Sequence, residues 1–176
     1  TLGPRINFII GHNGSGKSAI LTAITVTLGG KAQTTSRGSS LKDFILEGAQ
    51  AAEVRVRLRN GGSDAYRPDL YGDAINIERR IHSDGSGSWK IKNADGKTIS
   101  TKREELDAIC DHANIQVDNP MNILSQDAAR QFLGSSQPED KYSFFLRGTQ
   151  LTQLAQEYEL IQTNIHRRQR AIALTE

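Results

Sequence analysis

The residues of this chain whose types and spacing are suited to chemistry form a short glycine-rich stretch near its beginning. They fit the phosphate-binding pattern G-x-x-x-x-G-K-[ST] at every fixed position. The glycines let the backbone turn tightly, so that its N–H groups point inward and can cradle phosphate oxygens. Lys17 supplies a cation that can reach the β- and γ-phosphates, and the hydroxyl of Ser18 can ligate a bridging Mg²⁺. The stretch is Gly11-His12-Asn13-Gly14-Ser15-Gly16-Lys17-Ser18.

Two predicted elements must hold this loop in place. Residues 5–10 are mostly apolar and predict a short buried strand, while residues 18–28 predict a helix that ends at Gly29-Gly30. A phosphate in the loop would then lie at a helix N-terminus, where the dipole favours negative charge. A glycine-rich turn formed by chance would lack this context, so we interpret the stretch as a nucleotide site. The helix face predicted to be buried consists of Ile20, Leu21, Ile24 and Leu28.

The composition limits the classes of protein to consider. With 176 residues and a net charge of +2, the chain is long enough for one compact domain and has no bulk basicity that requires nucleic acid. Its single cysteine, Cys110, excludes an internal disulfide and suits a reducing compartment. No apolar run approaches the roughly 18 residues of a membrane span, so we expect no membrane partner. Because the chain opens in a predicted strand and stops in a predicted helix, we expect a fragment.

A polar loop follows the first helix. It covers residues 31–40, leads into a short helix predicted over residues 41–47, and carries Arg37 about twenty residues past the phosphate loop. Arg37 could fold back to the nucleotide, could meet DNA, or could be an ordinary solvated arginine. The spacing by itself leaves these alternatives open.

The middle of the chain predicts an antiparallel meander. Strands are expected over residues 53–59, 74–82, 88–92 and 98–100, with glycine-containing turns between the later ones. In the first strand Val54, Val56 and Leu58 alternate with arginines and should face a core. This pattern differs from the strand, loop and helix at the start, so two sheets in one α/β domain are expected.

The cations of the meander form a candidate surface for DNA. Three arginines share one strand face, and lysines follow on the neighbouring hairpin, so that together they could track backbone phosphates. A solvated sheet surface would have the same pattern, and both interpretations stay open. The residues are Arg55, Arg57, Arg59, Lys90, Lys92 and Lys97.

The remainder of the chain is predicted to be mainly helical. A helix over residues 102–112 should bury Leu106, Ile109 and Cys110, and helices are also expected over residues 128–133 and 138–146. Between them, residues 121–124 predict a short apolar strand that leads into Gln126.

From residue 149 onward an apolar residue recurs with three- and four-residue spacing. This heptad pattern favours the start of a coiled coil over a long surface helix packed on the domain. We therefore expect one domain over residues 1–148 and a coiled-coil neck over residues 149–176. The apolar positions are Leu151, Leu154, Tyr158, Ile161, Ile165 and Ile172.

Together these features resemble the N-terminal half of the head of SMC (structural maintenance of chromosomes) proteins, which are ABC-type ATPases. The resemblance covers nearly the whole chain and is stronger to the branch of the sixth eukaryotic SMC subunit, from the SMC five/six DNA-repair complex. Besides the phosphate loop, the blocks that carry it are Arg37-Gly38-Ser39-Ser40-Leu41-Lys42, Gln116-Val117-Asp118-Asn119-Pro120-Met121, Ser125-Gln126-Asp127, Phe132-Leu133 and Gly148-Thr149-Gln150-Leu151.

The resemblance implies an α/β fold, the N-terminal half of an ABC-type P-loop NTPase head with a mixed sheet and an antiparallel meander, running into a coiled-coil helix. It implies ATP and Mg²⁺ as cofactors, with residues 11–18 and Ala19 around the nucleotide. Arg37 resembles the R-loop arginine that approaches the nucleotide. Gln126 looks like the Q-loop glutamine that ligates Mg²⁺ beside Ser18, so that Lys17 and Gln126 would be the catalytic residues. The family usually has glycine after that glutamine, where this chain has Asp127.

The resemblance also implies partners and a location. These are the C-terminal half of the same head, a second SMC head (the fifth SMC subunit), a kleisin-type subunit at the neck, and DNA, on chromosomes in the nucleus.

Two parts of a complete ATPase are missing from the sequence. It has no apolar strand that ends in Asp-Glu and no L-S-G-G signature, which SMC proteins carry in the C-terminal half of the head. Without a carboxylate to position water, the chain alone is expected to be inactive. The alternatives are the head of a related double-strand-break repair ABC ATPase, a self-contained P-loop NTPase, and a nucleic-acid-binding module whose nucleotide loop is only structural.

Overall fold

The computed structural model describes residues 2–3, 5–35, 38–119, 121–134 and 137–173. The chain divides into two compact units, Thr1–Asp118 and Asn119–Glu176. The first unit contains the sheet and the phosphate loop, and the second consists of helices.

A four-stranded antiparallel meander forms the frame of the first unit, as the alternating pattern predicted. Its strands are β1 (Ala51–Arg59), β2 (Ala74–His82), β3 (Gly87–Lys92) and β4 (Thr98–Ser100), in the spatial order β1-β2-β3-β4. The register places Val56 opposite Ile77, and Ile77 opposite Ile91. Because residues directly opposite share a face of the sheet, this register gathers the branched apolar side chains on one side.

Helices cover that apolar side and complete the core. They are α1 (Lys17–Thr27), the single-turn α2 (Pro68–Tyr71) and α3 (Arg103–His112), with 3-10 helices at Ala32–Thr35 and Leu41–Phe44. As predicted, α3 buries Leu106, Ile109 and Cys110. Full burial of one such leucine or isoleucine contributes about 1.5–3 kcal/mol. The core cluster consists of Leu28, Tyr71, Ile75, Ile77, Ile91, Leu106, Ile109 and Cys110.

A carboxylate on α3 fastens the connection between β1 and β2. The buried Tyr71 hydroxyl donates to Oε1 of Glu105 at 2.9 Å, and the Tyr66 hydroxyl donates to the same oxygen at 3.1 Å. Arg67 lies 3.3 Å from this oxygen and forms an ion pair with it. Burial, with the hydrogen bond to Glu105, raises the pKa of both tyrosines, so their hydroxyls stay protonated and remain donors.

The first predicted strand is wrong for this structure. Residues 5–10 form no strand, and Ile6, Phe8 and Ile10 are 83%, 82% and 90% exposed. Among the described residues no strand lies beside them, and a strand needs neighbours to satisfy its backbone N–H and C=O groups. The described part of the chain therefore contains the meander but not the mixed sheet that was expected at the phosphate loop.

Two helix predictions also need correction. In α1, Ile24 and Leu28 reach the core, but Ile20 and Leu21 are exposed because no described element covers that side near the N-terminus of α1. The helix predicted over residues 41–47 is a single 3-10 turn, Leu41–Phe44. Its start is fixed by Asp43, whose carboxylate accepts the backbone N–H groups of Ser39 and Ser40 at 2.9 Å each.

The second unit contains α4 (Gln126–Gly134), α5 (Pro138–Gly148) and α6 (Leu151–Ala173). The rings of Phe132 and Phe144 pack with their centroids 4.5 Å apart and join α4 to α5. All three helices were predicted, and α6 carries the heptad positions. Its apolar side chains are exposed within this unit: Leu151, Leu154, Tyr158, Ile161, Ile165 and Ile172.

The short strand predicted over residues 121–124 is absent, because Asn119 organises a turn there. Its side-chain oxygen accepts the Met121 N–H at 2.8 Å, and its backbone oxygen accepts the N–H groups of Asn122 and Ile123 at 2.9 Å each. Its side-chain amide also donates to the Gly148 carbonyl at 3.0 Å. Local side-chain hydrogen bonds of this kind compete with extended structure.

The Glu105 network gives the first testable prediction. In the full-length protein, Glu105→Ala should leave the buried Tyr71 hydroxyl without its acceptor, a loss of about 1–3 kcal/mol. Amide hydrogen exchange over residues 60–72 should therefore accelerate by about 5- to 150-fold, measured by mass spectrometry. Glu104→Ala, on the exposed neighbouring residue of the same helix, is the control. Equal exchange rates over residues 60–72 in the two variants would show that Glu105 does not stabilise this connection.

Candidate nucleotide-binding site

The phosphate loop has the backbone conformation that its glycines allow. Gly14 and Gly16 have φ angles of 83° and 92°, in the left-handed region that side chains disfavour. No atom lies within 4 Å of the place where a Cβ would stand at either glycine, so this side of the loop is open. The turn is closed by the N–H of Ser15, which donates to the His12 carbonyl at 3.2 Å. His12 and Asn13 are exposed on this loop.

The loop ends at an uncapped helix N-terminus. Gly16 is the N-cap of α1, and no side chain caps it. The first N–H groups of a helix have no partner within the helix, and the dipole makes this end partly positive. The first turn contains Lys17, Ser18 and Ala19, so these residues contribute backbone donors at the same end. An anion would find several donors converging here.

Lys17 is folded over the loop. Its Nζ donates to the carbonyl oxygens of Gly11 and His12 at 2.7 Å each. The ammonium group therefore lies at the loop itself, where phosphate oxygens could replace the two carbonyls as acceptors. The open cradle, this cation and the hydroxyl of Ser18 together fit a nucleotide polyphosphate with Mg²⁺. Among the described residues, no group of three or more His, Cys, Asp or Glu side chains is placed so that it could hold a metal ion.

The other predicted nucleotide contacts belong to the second unit or fall outside the described residues. Gln126 is the first residue of α4 in the second unit and is exposed. The hydroxyl of Ser125 accepts the N–H of Ala128 at 3.2 Å and so fixes the start of that helix. Arg37 lies outside the described residues, and its predicted role stays a prediction.

The predicted DNA surface is present as a sheet face but is partly neutralised. Arg55 lies 2.6 Å from Glu53 and 3.3 Å from Glu78. Lys92 also pairs with Glu78, at 2.7 Å. These contacts raise the pKa of Arg55 and lower that of Glu53, mainly through their shared hydrogen bond. Arg57 has only a 4.0 Å approach to Asp73, and both side chains are largely exposed.

The register adds one arginine that the sequence reasoning missed. Arg80 is exposed and stands directly opposite Glu53, so it shares the face of β1 that carries the arginines. The period-two pattern of β2 contained this signal, because Arg80 alternates with the inward isoleucines. This outer face therefore holds six cations against two carboxylates: Arg55, Arg57, Arg59, Arg80, Lys90 and Lys92 against Glu53 and Glu78.

Comparisons with known proteins agree with this architecture. A family model described as "AAA domain" matches residues 1–174. Structural maintenance of chromosomes protein 6 of Schizosaccharomyces pombe is 53% identical over 163 residues, covering 93% of this chain and 14% of that protein. The Homo sapiens protein of the same name is 51% identical over 159 residues, covering 90% of this chain and 15% of that protein. The chain thus spans about one seventh of the length of these curated relatives.

Solved structures are similar over most of the chain. One, from work on "ATP-driven dimerization and DNA stimulated activation of SMC ATPases", has a TM-score of 0.69 at 28% identity, covering 83% of this chain and 86% of that one. A second, an Smc head bound to the C-winged helix domain of ScpA, has a TM-score of 0.56 at 30% identity, covering 71% of this chain and 38% of that one. No helix among the described residues is long and apolar enough to cross a membrane.

The geometry of Lys17 gives the second prediction. In the full-length protein, Lys17→Ala should abolish tight MgATP binding in a calorimetric titration. The fold should survive, because the Lys17 ammonium group contacts only carbonyls of the exposed loop. Lys102→Ala, at another exposed lysine, should bind as the parent does. Unchanged affinity in Lys17→Ala would rule out the loop as the nucleotide site.

Proposed function

Because this chain belongs to the AAA domain family and has the sequence and fold of an SMC-type ATPase head, we propose that it binds ATP as one half of a composite ATPase site. The observation that carries the proposal is the open glycine cradle of residues 11–16, with the Lys17 ammonium group folded onto it. The loop N–H groups would hold the β- and γ-phosphates, and Lys17 would neutralise their charge.

Mg²⁺, when bound, would offset the negative charge that develops during phosphoryl transfer. Ser18 would supply a hydroxyl ligand, and Gln126 a carbonyl oxygen, since an amide can ligate a metal and still donate a hydrogen bond to water. Arg37 would approach the nucleotide from the polar loop. These roles assign phosphate binding and orientation to this chain, and its sequence has no apolar segment ending in the Asp-Glu pair that would position water.

The C-terminal half of the head is the first partner that we propose. Residues 5–10 and the exposed Ile20 and Leu21 present apolar surface on both sides of the phosphate loop. Exposed apolar surface of this extent marks an interaction site. A covering segment that pairs with residues 5–10 would turn them into the buried strand that their sequence favours. It would also bring the carboxylate required for hydrolysis.

The second proposed contact is at the neck, with residues 1–148 as the half-head and 149–176 as the start of the neck. The apolar face of α6 is exposed along the whole helix. A helix with such a stripe normally buries it against another helix. We assign it to an antiparallel helix of the missing half and to a kleisin-type subunit. The solved Smc head bound to ScpA is an example of an SMC head with a bound partner.

The third proposal concerns the chromosome. Six cations against two carboxylates on the outer sheet face make it net positive, which suits the phosphates of DNA. Together with pairing to a second SMC head, which we expect to be the fifth SMC subunit, this would couple ATP binding to DNA tethering and repair in the nucleus.

A steady-state ATPase assay tests the composite site. The purified chain alone should turn over at background rate, because its sequence has no apolar segment that ends in Asp-Glu. Adding the C-terminal half should give tight ATP binding, and adding a second SMC head should give turnover. Robust turnover by the chain alone, lost in Lys17→Ala, would instead establish a self-contained NTPase.

The outer sheet face can be tested in the full-length protein by fluorescence anisotropy with DNA. Replacing Arg55, Arg57 and Arg59 with Glu should weaken binding about equally for all sequences and flatten the salt dependence by about 0.9 log unit per lost phosphate contact. Arg57→Gln should act more strongly than Arg55→Gln, because Arg55 is already held by Glu53 and Glu78. Lys102→Gln is the control. An unchanged salt slope in the triple variant would make this face an ordinary solvated surface.

A further inference from the structure

Arg79 is a charged residue at a core-facing position of the sheet. It lies on β2 between Ile77 and Ile81 and points to the same side as those isoleucines, with 5% of its surface exposed. Arginine is rarely buried to this degree unless it is paired. The position therefore requires a physical explanation.

An aromatic ring holds this arginine in place. The guanidinium carbon of Arg79 lies 3.3 Å from the ring centroid of Trp89, its directly opposite residue on β3. The Trp89 indole N–H donates to the Thr27 carbonyl at 3.0 Å, which fixes the ring against the end of α1. Gly87 is part of the same arrangement, since a Cβ there would come within 2.9 Å of the Arg79 Nη2. A side chain at Gly87 would displace the guanidinium group.

A second guanidinium group lies at the same ring. The guanidinium carbon of Arg103 is 5.3 Å from the Trp89 centroid. Its Nη2 donates to the Gly29 carbonyl at 2.9 Å, and its Nε donates to Asp107 at 3.4 Å. Two positively charged groups are therefore held at the same ring, although like charges repel each other.

The charge of Arg79 has no counter-ion among the described residues. Its Nε and Nη1 are buried and have no hydrogen-bond acceptor there. Burial, and secondly the nearby Arg103, lower the pKa of Arg79 to about 10, so it still carries its charge at neutral pH. Buried donors almost always have partners, and an unpaired buried charge is strongly destabilising. An anion placed beside Arg79 would offset this charge.

A cleft of about 330 Å³ opens beside these two arginines. Arg79, Arg103, Trp89, Lys31, Ser39 and Ser40 line it, so the charged side chains of its lining are all cationic. The Ser39 hydroxyl donates to Asp43 at 3.3 Å. Gly29, Gly30 and Gly85 also line the cleft, and the space beside Gly85 is open. The guanidinium fork of an arginine matches two oxygens of a phosphate group.

We propose that this cleft binds a phosphate group, held by the guanidinium groups of Arg79 and Arg103, which lie at the ring of Trp89. It lies at the C-terminal end of α1, whereas the phosphate loop lies at the N-terminal end, roughly 16 Å away along an 11-residue helix. The site is therefore separate from the nucleotide site and goes beyond the function proposed above. The phosphate can come from free inorganic phosphate or from the backbone of a nucleic acid.

Equilibrium dialysis of the full-length protein with radiolabelled inorganic phosphate, at constant ionic strength, tests the site. The experiment uses the Lys17→Ala variant as its background, so that the phosphate loop does not contribute to phosphate binding. Its result then does not depend on the role proposed for that loop. Saturable binding is expected, and Arg79→Gln should weaken it at least tenfold. Lys102→Gln is the matched control, because Lys102 directly precedes Arg103 and is exposed, but does not line the cleft. It should bind phosphate as the background protein does.

A second variant keeps the test decisive if Arg79→Gln folds poorly, as judged by circular dichroism. The Arg103 side chain is 49% exposed, so Arg103→Gln should fold and should also weaken phosphate binding at least tenfold. Absence of saturable binding in the background protein would overturn the proposal. Equal affinity in Arg103→Gln and Lys102→Gln, or in Arg79→Gln and Lys102→Gln, would overturn it as well.

A single-stranded oligonucleotide distinguishes the two sources of phosphate. If the oligonucleotide displaces labelled phosphate, and its own affinity falls at least tenfold in Arg103→Gln but not in Lys102→Gln, the cleft takes a backbone phosphate. If labelled phosphate binds in the same arginine-dependent way and the oligonucleotide does not displace it, the cleft takes free phosphate. Both results support the site.

Discussion

Burial of one face of the antiparallel meander is the interaction on which the rest of the first unit depends. Ile75, Ile77 and Ile91 on the sheet pack with Leu106 and Ile109 on α3, and the end of α1 reaches this cluster through Leu28. Each burial contributes only a few kcal/mol, but all of them require the same register between the strands. Shifting one strand by a single residue would turn its core-facing side chains to solvent and its outer-face side chains to the core.

This core fixes α1 by its C-terminal end. The Thr27 carbonyl accepts the Trp89 indole N–H, and the Gly29 carbonyl accepts a donor from Arg103. These contacts also satisfy carbonyl groups that a helix end would otherwise leave without partners. The opposite end of α1 keeps its N–H groups for an anion. One helix is thus tied to the sheet at one end and presents the phosphate loop at the other.

This contrast between the packed end and the open end of α1 also explains where apolar surface remains exposed. Around the loop, residues 5–10 and one side of α1 lack a cover, and in the second unit the apolar stripe of α6 lacks a partner helix. The meander and α3, in contrast, bury their apolar side chains against each other. The composite head proposed for this chain places its missing parts at these exposed surfaces, where the chain's own packing is incomplete.

The sequence by itself determined the features that depend on local spacing. The glycines of residues 11–16, the alternation of Val54, Val56 and Leu58, and the heptads of α6 are readable because backbone geometry repeats over a few residues. The meander, α3 and the later helices followed from such patterns and are present.

Only the tertiary structure decided which predicted faces acquire partners. Residues 5–10 have the composition of a strand, yet a strand needs a neighbour, and none of the described residues supplies one. Asn119 converts a predicted strand into a turn through side-chain hydrogen bonds that the apolar pattern does not reveal. The burial of Arg79 beneath Trp89 and the convergence of Tyr66, Tyr71 and Arg67 on Glu105 join residues far apart in the chain. Such contacts depend on strand register and helix placement, which no local period encodes.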